Sequence, residues 1–461
     1  MNSMKKKTKI EPTFKSTLIT EDTIYEMIYD KILNSTSFIK SGRNGQMEFF
    51  LEEVEINGRK FKPLPPNHML VEKGIILFPS MPFPYNNEEE LLTEIQTFIH
   101  KYLDVTEAFE PIATYYVLFT WLYDRFNEVP YLRAIGDFGT GKSRLLQVVG
   151  SICYKPIFTG GATTTSPIFR IVDEVKGTLV IDEADFKYSD MSSDMVKILN
   201  MGYQKGGNVL RSEGKGTFEV KAYDVFCPKI VATRETFTDK ALESRFLIEE
   251  MGSGNLRKDI PRTLNDEFYF EAETLRNKLL MWRLKNYFEP IEKRDEVIDG
   301  IHPRLNQIVI PLLSIIKDKK IREQLVTFII KYNGELVAER GFSQESDIVF
   351  AILKLEHEIF DGFVTTKQIT DEINKDIDSS YDKLSFRKVG WYLSKKLQLK
   401  SSRTRRGYVL SFNENRKRLD MWKERFGITD ADIRGEDVNE VNVVSSGYDK
   451  SLDLDVSAVP F

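Results

Sequence analysis

The segment Gly136-Asp-Phe-Gly-Thr-Gly141-Lys142-Ser143 limits what this chain can fold into more than any other. It follows the apolar run Tyr131-Leu-Arg-Ala-Ile135 and leads into Arg144-Leu-Leu-Gln-Val-Val149, whose spacing is helical. A G-x4-G-K-S pattern between a strand and a helix is the context in which such a loop cradles phosphate. Its glycines let backbone N–H groups approach anionic oxygens, and the following helix turns its positive end toward them. Lys142 is placed to reach the β and γ phosphates of a nucleotide, and Ser143 to ligate magnesium. With glycine near 7% of residues in general, a chance match in a chain this long is on the order of a few per cent.

A site of this kind needs a second element, a buried strand that ends in an acid. Gly177-Thr-Leu-Val-Ile-Asp182-Glu183 supplies it. Asp182 would hold magnesium through water, and Glu183 would polarise the attacking water. The letters Asp182-Glu183-Ala184-Asp185 also spell a superfamily-two helicase box. That family's second RecA-like domain has no counterpart in the sequence, so the spelling is read as coincidence. A third apolar run, Lys229-Ile-Val-Ala-Thr233, precedes Arg234 and then Ala241-Leu-Glu-Ser-Arg245-Phe. Short strands alternating with helices over residues 131–251 predict an α/β fold, a parallel sheet covered by helices on both faces.

The order of phosphate loop, Asp-Glu strand, strand ending in a polar residue and Ser-Arg-Phe resembles an AAA+ ATPase. The resemblance implies ATP and Mg²⁺, with Gly136, Gly139, Thr140, Gly141, Lys142, Ser143 and Arg144 around the nucleotide and Ser143 and Asp182 at the metal. It makes Thr233 similar to the sensor-one residue and Arg245 similar to an arginine finger, which acts on a neighbouring subunit's γ-phosphate and accelerates turnover by up to about 10³ to 10⁵. The alternative for Arg245 is a surface salt bridge. A sensor-two arginine is not assignable among Arg262, Arg276 and Arg283.

Between the second and third strands lies Asn208-Val-Leu-Arg-Ser-Glu-Gly214-Lys215-Gly216-Thr-Phe-Glu-Val-Lys-Ala-Tyr223, which reads as a β-hairpin with Lys215 at its tip. It resembles the pre-sensor-one hairpin of superfamily-three and minichromosome-maintenance-like helicases, where a tip lysine tracks the nucleic-acid backbone. A point charge on a flexible stem can pass between phosphates without reading bases. A solvent-exposed hairpin with a solubilising lysine is the other reading. Residues 88 to 315 also look like replication-type ATPases of phages, plasmids and integrative elements. Thr233 departs from the Asn usual in superfamily three, and residues 1–87 carry no primase or origin-nuclease signature.

Toward the C-terminus, Ile348, Ile352 and Leu355 mark one helix, Thr365 or Thr366 can cap a second, and Ser385 a third with Phe386, Val389, Leu393 and Leu397 on its core stripe. With the basic turn that follows, this resembles a winged helix. Arg387, Lys388, Lys395 and Lys396 on its third helix and Arg403, Arg405 and Arg406 on its wing suit a DNA backbone, unless the module serves protein contacts. The chain's net charge of −5, from 65 bases against 70 acids, belongs to the tail: from Phe426 onward there are eight acids and two bases, which leaves +1 for the rest. That tail has no helical periodicity and is expected to be disordered. Its end, Asp453-Leu-Asp455-Val-Ser-Ala-Val-Pro460-Phe461, weakly resembles the tip with which single-strand-binding proteins recruit replication partners.

The predicted segments are therefore 1–87, with a hairpin at Asn57-Gly58; a helical collar, 88–130; the ATPase core, 131–265; a helical lid or linker, 266–345; the winged helix, 346–425; and the acidic tail, 426–461. Cys153 and Cys227 read as buried thiols, and the four histidines form no zinc pattern. No apolar run approaches the roughly 18 residues of a membrane span, and no secretory signal is present, so the cytoplasm is the expected location. Together the resemblances imply an oligomeric ATPase, a hexameric DNA motor acting as replicative helicase of a mobile element. The alternatives are an initiator or loader, or a regulatory or defence switch built on a winged-helix interaction module.

Overall fold

The computed structural model describes residues 13–160, 163–182, 184, 190–213, 219–237, 240–252, 257–291, 297–301, 303–341, 344–359, 361–375 and 383–434. The chain divides into two compact units, 1–330 and 331–461. The division falls inside the helix Lys319–Gly341.

In the first unit an antiparallel sheet of Thr17–Ile19, Thr23–Asp30, Ser35–Gly42 and Met47–Leu51 comes first. The expected hairpin forms beside it. Val54–Ile56 pairs with Arg59–Lys62 around Asn57 and Gly58, both at positive φ (53° and 73°), the conformation a two-residue turn of this hand requires. Helix Glu88–Tyr102 follows, its Asn87 side chain accepting from Glu90 N, with Leu91, Ile95, Phe98 and Ile99 buried on one stripe. Helix Phe109–Thr120 is instead buried along nearly its whole surface.

The core sheet holds five parallel strands: β1 (Tyr131–Ile135), β2 (Ile157–Thr159), β3 (Leu179–Ile181), β4 (Lys229–Thr233) and β5 (Phe246–Glu250). Their spatial order is β5-β1-β4-β3-β2. Inserting β4 between β1 and β3 is the step that matters for the site. Pairing of Thr233 with Ile135 and of Val231 with Ile181 brings the loop after β1, the residue after β4 and the acid after β3 out at one edge of the sheet. Ligands of open parallel sheets bind outside the carboxyl ends of the strands. The strands are mostly apolar and buried on both faces; their buried charged residues include Lys229, Glu249 and Arg133, whose guanidinium pairs with Glu243. Both cysteines are buried thiols.

In the second unit, helices Gln344–Glu358, Thr366–Ile373 and Phe386–Trp391 pack with a sheet ordered Phe363–Thr365, Gly407–Ser411, Ser401–Thr404. Thr365 caps the second helix in a reciprocal box with Gln368, and Ser385 caps the third. After Trp391 the helix widens by one residue, with Leu397 N donating to Tyr392 O at 2.9 Å. Val389, Leu393 and Leu397 reach the core as expected, but Phe386 does not and remains exposed. Phe386 is the first residue after the cap, where the chain still faces solvent. The reading of everything beyond Gly427 as aperiodic is corrected at Asp430–Arg434, a short helix started by a Thr429–Asp432 hydrogen-bond pair. The remainder of the acidic tail, including Pro460 and Phe461, lies outside the described residues. Among the described residues no helix is long and apolar enough to cross a membrane.

Candidate functional site

The loop after β1 has the backbone its glycines predict. Gly136, Gly139 and Gly141 all have positive φ, at 155°, 81° and 98°, and Gly141 is the N-cap of the helix Lys142–Ile152. At Gly136 a Cβ would lie 2.7 Å from Met251 O and 2.8 Å from Thr140 Oγ1, so only glycine lets the loop turn there. Gly136 N donates to Thr233 O at 3.3 Å, which ties the loop to the end of β4. Lys142 Nζ donates to Gly136 O and Asp137 O, both at 2.6 Å, and is thereby held at the loop's mouth.

The loop borders two cavities. The smaller, about 340 Å³, is lined by Phe138, Lys142, Ser143, Asp182 and Arg234 together with loop glycines. The larger, about 600 Å³, lies on the loop's other side between Tyr102–Thr106 and Glu249–Gly252, with Ile260, Pro261 and Arg262 closing it. Gly139, Thr140, Gly141 and Arg144 belong to both. Within the larger cavity, Glu249 accepts from Thr106 N at 2.6 Å and Thr106 Oγ1 at 2.9 Å, and burial pushes its carboxyl pKa up.

Thr233 sits between these elements and is 2% exposed. Its Oγ1 is buried without a hydrogen-bond partner, at the junction of the loop and the Asp182 strand. Buried hydroxyls are nearly always satisfied, and one left orphaned beside a phosphate-type loop fits a site whose partner is a ligand or its water. Ser143 and Asp182, facing the same space, offer the hard oxygen donors that Mg²⁺ takes. The residues present therefore fit a magnesium nucleotide.

Two sequence expectations change. Arg245 is 6% exposed, its guanidinium 4.4 Å from the Tyr203 ring centre and its Nη1 donating to Asn200 Oδ1 at 2.6 Å. It precedes β5 at the amino end of the sheet, where Arg245 O accepts from Tyr131 N, so it lies about 20 Å along the strand direction from the loop. An arginine offered to a neighbour's phosphate must be presented outward, and this one is packed inward. Arg144 lies at the site, but its guanidinium braces the walls by donating to Tyr102 O, Pro261 O and Arg262 O. Of the three sensor-two candidates, Arg276 and Arg283 are buried, the first donating to Ser151 O and the second in an ionic cluster with Glu26; Arg262 lines the larger cavity.

Glu183 and Lys215 lie outside the described residues. The two strands on either side of residues 214–218 do pair, Asn208–Glu213 in antiparallel register with Glu219–Asp224. Its blade is exposed, including Leu210 and Val220, while its base is held by Tyr223 against Phe169 and by Arg211 paired with Asp194 at 2.7 Å. In the second unit Arg387, Lys388, Lys395, Lys396, Arg403, Arg405 and Arg406 are all exposed. Arg387, Lys388 and Lys395 surround the exposed Trp391 on the helix face opposite Val389 and Leu393. Trp391, Arg234 and the Glu249 cavity carry no motif; only the strand order and the burial reveal them.

No protein-family model matches the chain, and no curated protein matches it. Among solved structures it is similar to the apo C-terminal region of NrS-1, at 11% identity over 84% of this chain and 96% of that one, with a TM-score of 0.32. It is also similar to the JCV helicase, at 13% identity over 59% of this chain and 65% of that one, with a TM-score of 0.24. Likenesses this weak decide nothing about the site.

Proposed function

We propose that the chain is an AAA+-type ATPase that assembles on DNA and moves along it, as a replicative helicase of a mobile genetic element. The observation that carries the reading is the convergence at one sheet edge of the Gly136–Ser143 loop, Asp182 and the orphaned Thr233 hydroxyl. Loop N–H groups and Lys142 bind the β and γ phosphates. Ser143 and Asp182 would hold Mg²⁺, which supplies charge neutralisation across the phosphates when bound. Thr233 orients the attacking water and Glu183 takes its proton. The 600 Å³ cavity takes the base and ribose.

Motion along DNA rests on the exposed strand pair Asn208–Glu213 and Glu219–Asp224, whose stapled base can transmit movement from the core to the segment that joins the strands and contains Lys215 in sequence, and on the basic winged-helix face of the second unit, where Arg387, Lys388, Lys395, Lys396, Arg403, Arg405 and Arg406 engage duplex or fork DNA. The inward packing of Arg245 favours a second reading, an ATP-dependent loader or switch that does not need a neighbour's cation for each turnover. ATPase rate with and without single-stranded DNA separates them. A motor is stimulated by DNA, loses turnover in Lys142→Ala, and in Lys215→Ala keeps basal turnover but loses stimulation. A rate indifferent to DNA rejects the motor.

A further inference from the structure

We infer that Trp391 of the second unit is a stacking platform for an unpaired base of single-stranded DNA, with the cations around it holding the flanking phosphates. This rests on the DNA reading above and narrows the DNA taken by this face to an unpaired strand, as at a fork. The first observation is the ring itself. Tryptophan is highly buried on average in folded chains. Trp121 and Trp282 are 0% and 2% exposed, and Trp422 is half-buried against Phe426 and donates to Leu397 O. Trp391 is 48% exposed. Its ring stands at 82° to that of Tyr392, with the centres 5.2 Å apart. An indole displayed to solvent offers a flat apolar surface on which any base can stack.

The second observation is the charge around the ring. From Leu384 to Asn413 the chain carries eight arginines and lysines and no acid. Asp361 and Glu414, from neighbouring segments, each approach one of the eight, Arg406 and Lys400, at 3.6 Å. Arg387 and Lys388 are exposed and lie four and three residues before Trp391, the spacings that set side chains next to one another on a helix. A surface of this charge selects a polyanion, and lysines bind phosphates as point charges without reading bases. The ring among them selects a polyanion that also has open flat faces. In a duplex each base face is covered by the next pair, whereas in a single strand it is free to stack on a side chain.

The third observation is the wide turn that follows Trp391. Leu397 N donates to Tyr392 O at 2.9 Å, so the turn over Tyr392–Lys396 is one residue longer than an α-helical one. In an unbroken α-helix Lys396, seven residues after Val389, falls on the buried stripe of Val389 and Leu393. The extra residue brings it out. Lys396 is exposed while Leu393 and Leu397 stay buried, and its Nζ stands 5.7 Å from the centre of the Trp391 ring. Single wide turns of this kind recur at functional sites. Here the widening sets a cation beside the ring, within reach of a phosphate that flanks a stacked base.

The test uses the full chain, with a short oligothymidine and a duplex of equal length as probes at several salt concentrations, and compares wild type with Trp391→Ala, Trp391→Phe and Lys388→Ala. Thermal melts first show which variants are folded. Trp391→Ala should weaken oligothymidine binding by about fivefold or more, the loss of one base stack, with the salt slope unchanged and duplex binding little altered. Trp391→Phe keeps a ring and should recover most of the affinity. Lys388→Ala should weaken both probes and lower the salt slope. Oligothymidine should also quench the indole fluorescence of wild type and not that of Trp391→Phe, because Trp391 is the exposed tryptophan. If Trp391→Ala melts early, this quenching comparison decides. Equal losses on single strand and duplex, full affinity in a folded Trp391→Ala, or quenching that survives in Trp391→Phe overturns the inference. DNA binding that depends on Lys388 and ignores Trp391 sinks this inference alone. A wild type that binds neither probe takes the DNA reading with it and assigns the face to protein contacts.

Discussion

Replacing Glu26 by Gln tests whether the N-terminal sheet is locked onto the five-stranded core by charge. Glu26 is 0% exposed. Its carboxylate accepts from Arg283 Nε at 2.8 Å, lies 2.9 Å from Lys155 Nζ, and accepts from Tyr154 Oη and Thr17 Oγ1. Arg283 comes from helix Asp266–Asn286 and also pairs with Asp124, and Lys155 also donates to Ser16 O. The substitution leaves two buried cations with one acid. Hydrogen bonds to charged groups contribute roughly 1.5–3 kcal/mol each, and two are weakened; the amide keeps part of the Tyr154 and Thr17 bonding, which offsets some of the loss. The expected cost is about 3–5 kcal/mol, the scale found when one partner of a buried pair is removed. A guanidinium melt in a Trp391→Phe, Trp422→Phe background reads only the first unit, through Trp121 and Trp282. Adding Lys155→Met should recover part of the loss through a coupling energy of about 1 kcal/mol or more. The pH dependence has a defined sign. Burial pushes the Glu26 carboxyl up, but Lys155 and Arg283 override this and hold it below its usual 4.5. The native state then binds fewer protons than the unfolded chain in acid, so this stabilisation is complete above pH 4.5 and is lost as pH falls through the folded value. Wild type should therefore lose stability in acid more steeply than Glu26→Gln. A variant within about 1 kcal/mol of wild type, with no coupling to Lys155, would refute the reasoning.

Gly136→Ala should weaken binding of a non-hydrolysable ATP analogue by at least about tenfold in calorimetry, because its Cβ meets Met251 O and the positive φ costs on the order of 1–3 kcal/mol. Arg245→Met should lower stability by about 1–3 kcal/mol, by removing the buried hydrogen bond from Arg245 Nη1 to Asn200 Oδ1. Its turnover per folded molecule should stay within a few-fold of wild type, and a thousand-fold loss would reinstate Arg245 as a finger. Asn415→Ala should cost about 2–4 kcal/mol in the second unit, because its buried amide bonds Lys400 N, Lys400 O and Ser411 O. Trp422, bonded to Leu397 O, gives the fluorescence readout, and an unchanged melt would dismiss that role for the amide.

The parts of the site legible in the sequence were those whose chemistry is local. Glycines at 136, 139 and 141 signal their positive φ because few other residues tolerate it, and Thr365 and Ser385 signal caps because their hydroxyls reach a backbone N–H three residues on. Arg245 misled because a Ser-Arg-Phe triplet does not say which way a guanidinium points; Tyr203 and Asn200, far from it in sequence, decide that. Phe386 misled because spacing alone extends a stripe into the first residue of the helix, where the chain still faces solvent.

From its letters alone this chain determined a phosphate loop, an acid-ended strand, a hairpin and a basic three-helix module, since each depends on side-chain period and turn chemistry within a few neighbours. Tertiary structure decided that β4 passes between β1 and β3, which set Thr233 and Arg234 at the same sheet edge as the Gly136–Ser143 loop and sent Arg245 to the opposite one. It also gathered Glu26, Asp124, Lys155 and Arg283 into one buried cluster. Strand order and burial are set by packing summed over the whole sheet, so no single segment records them.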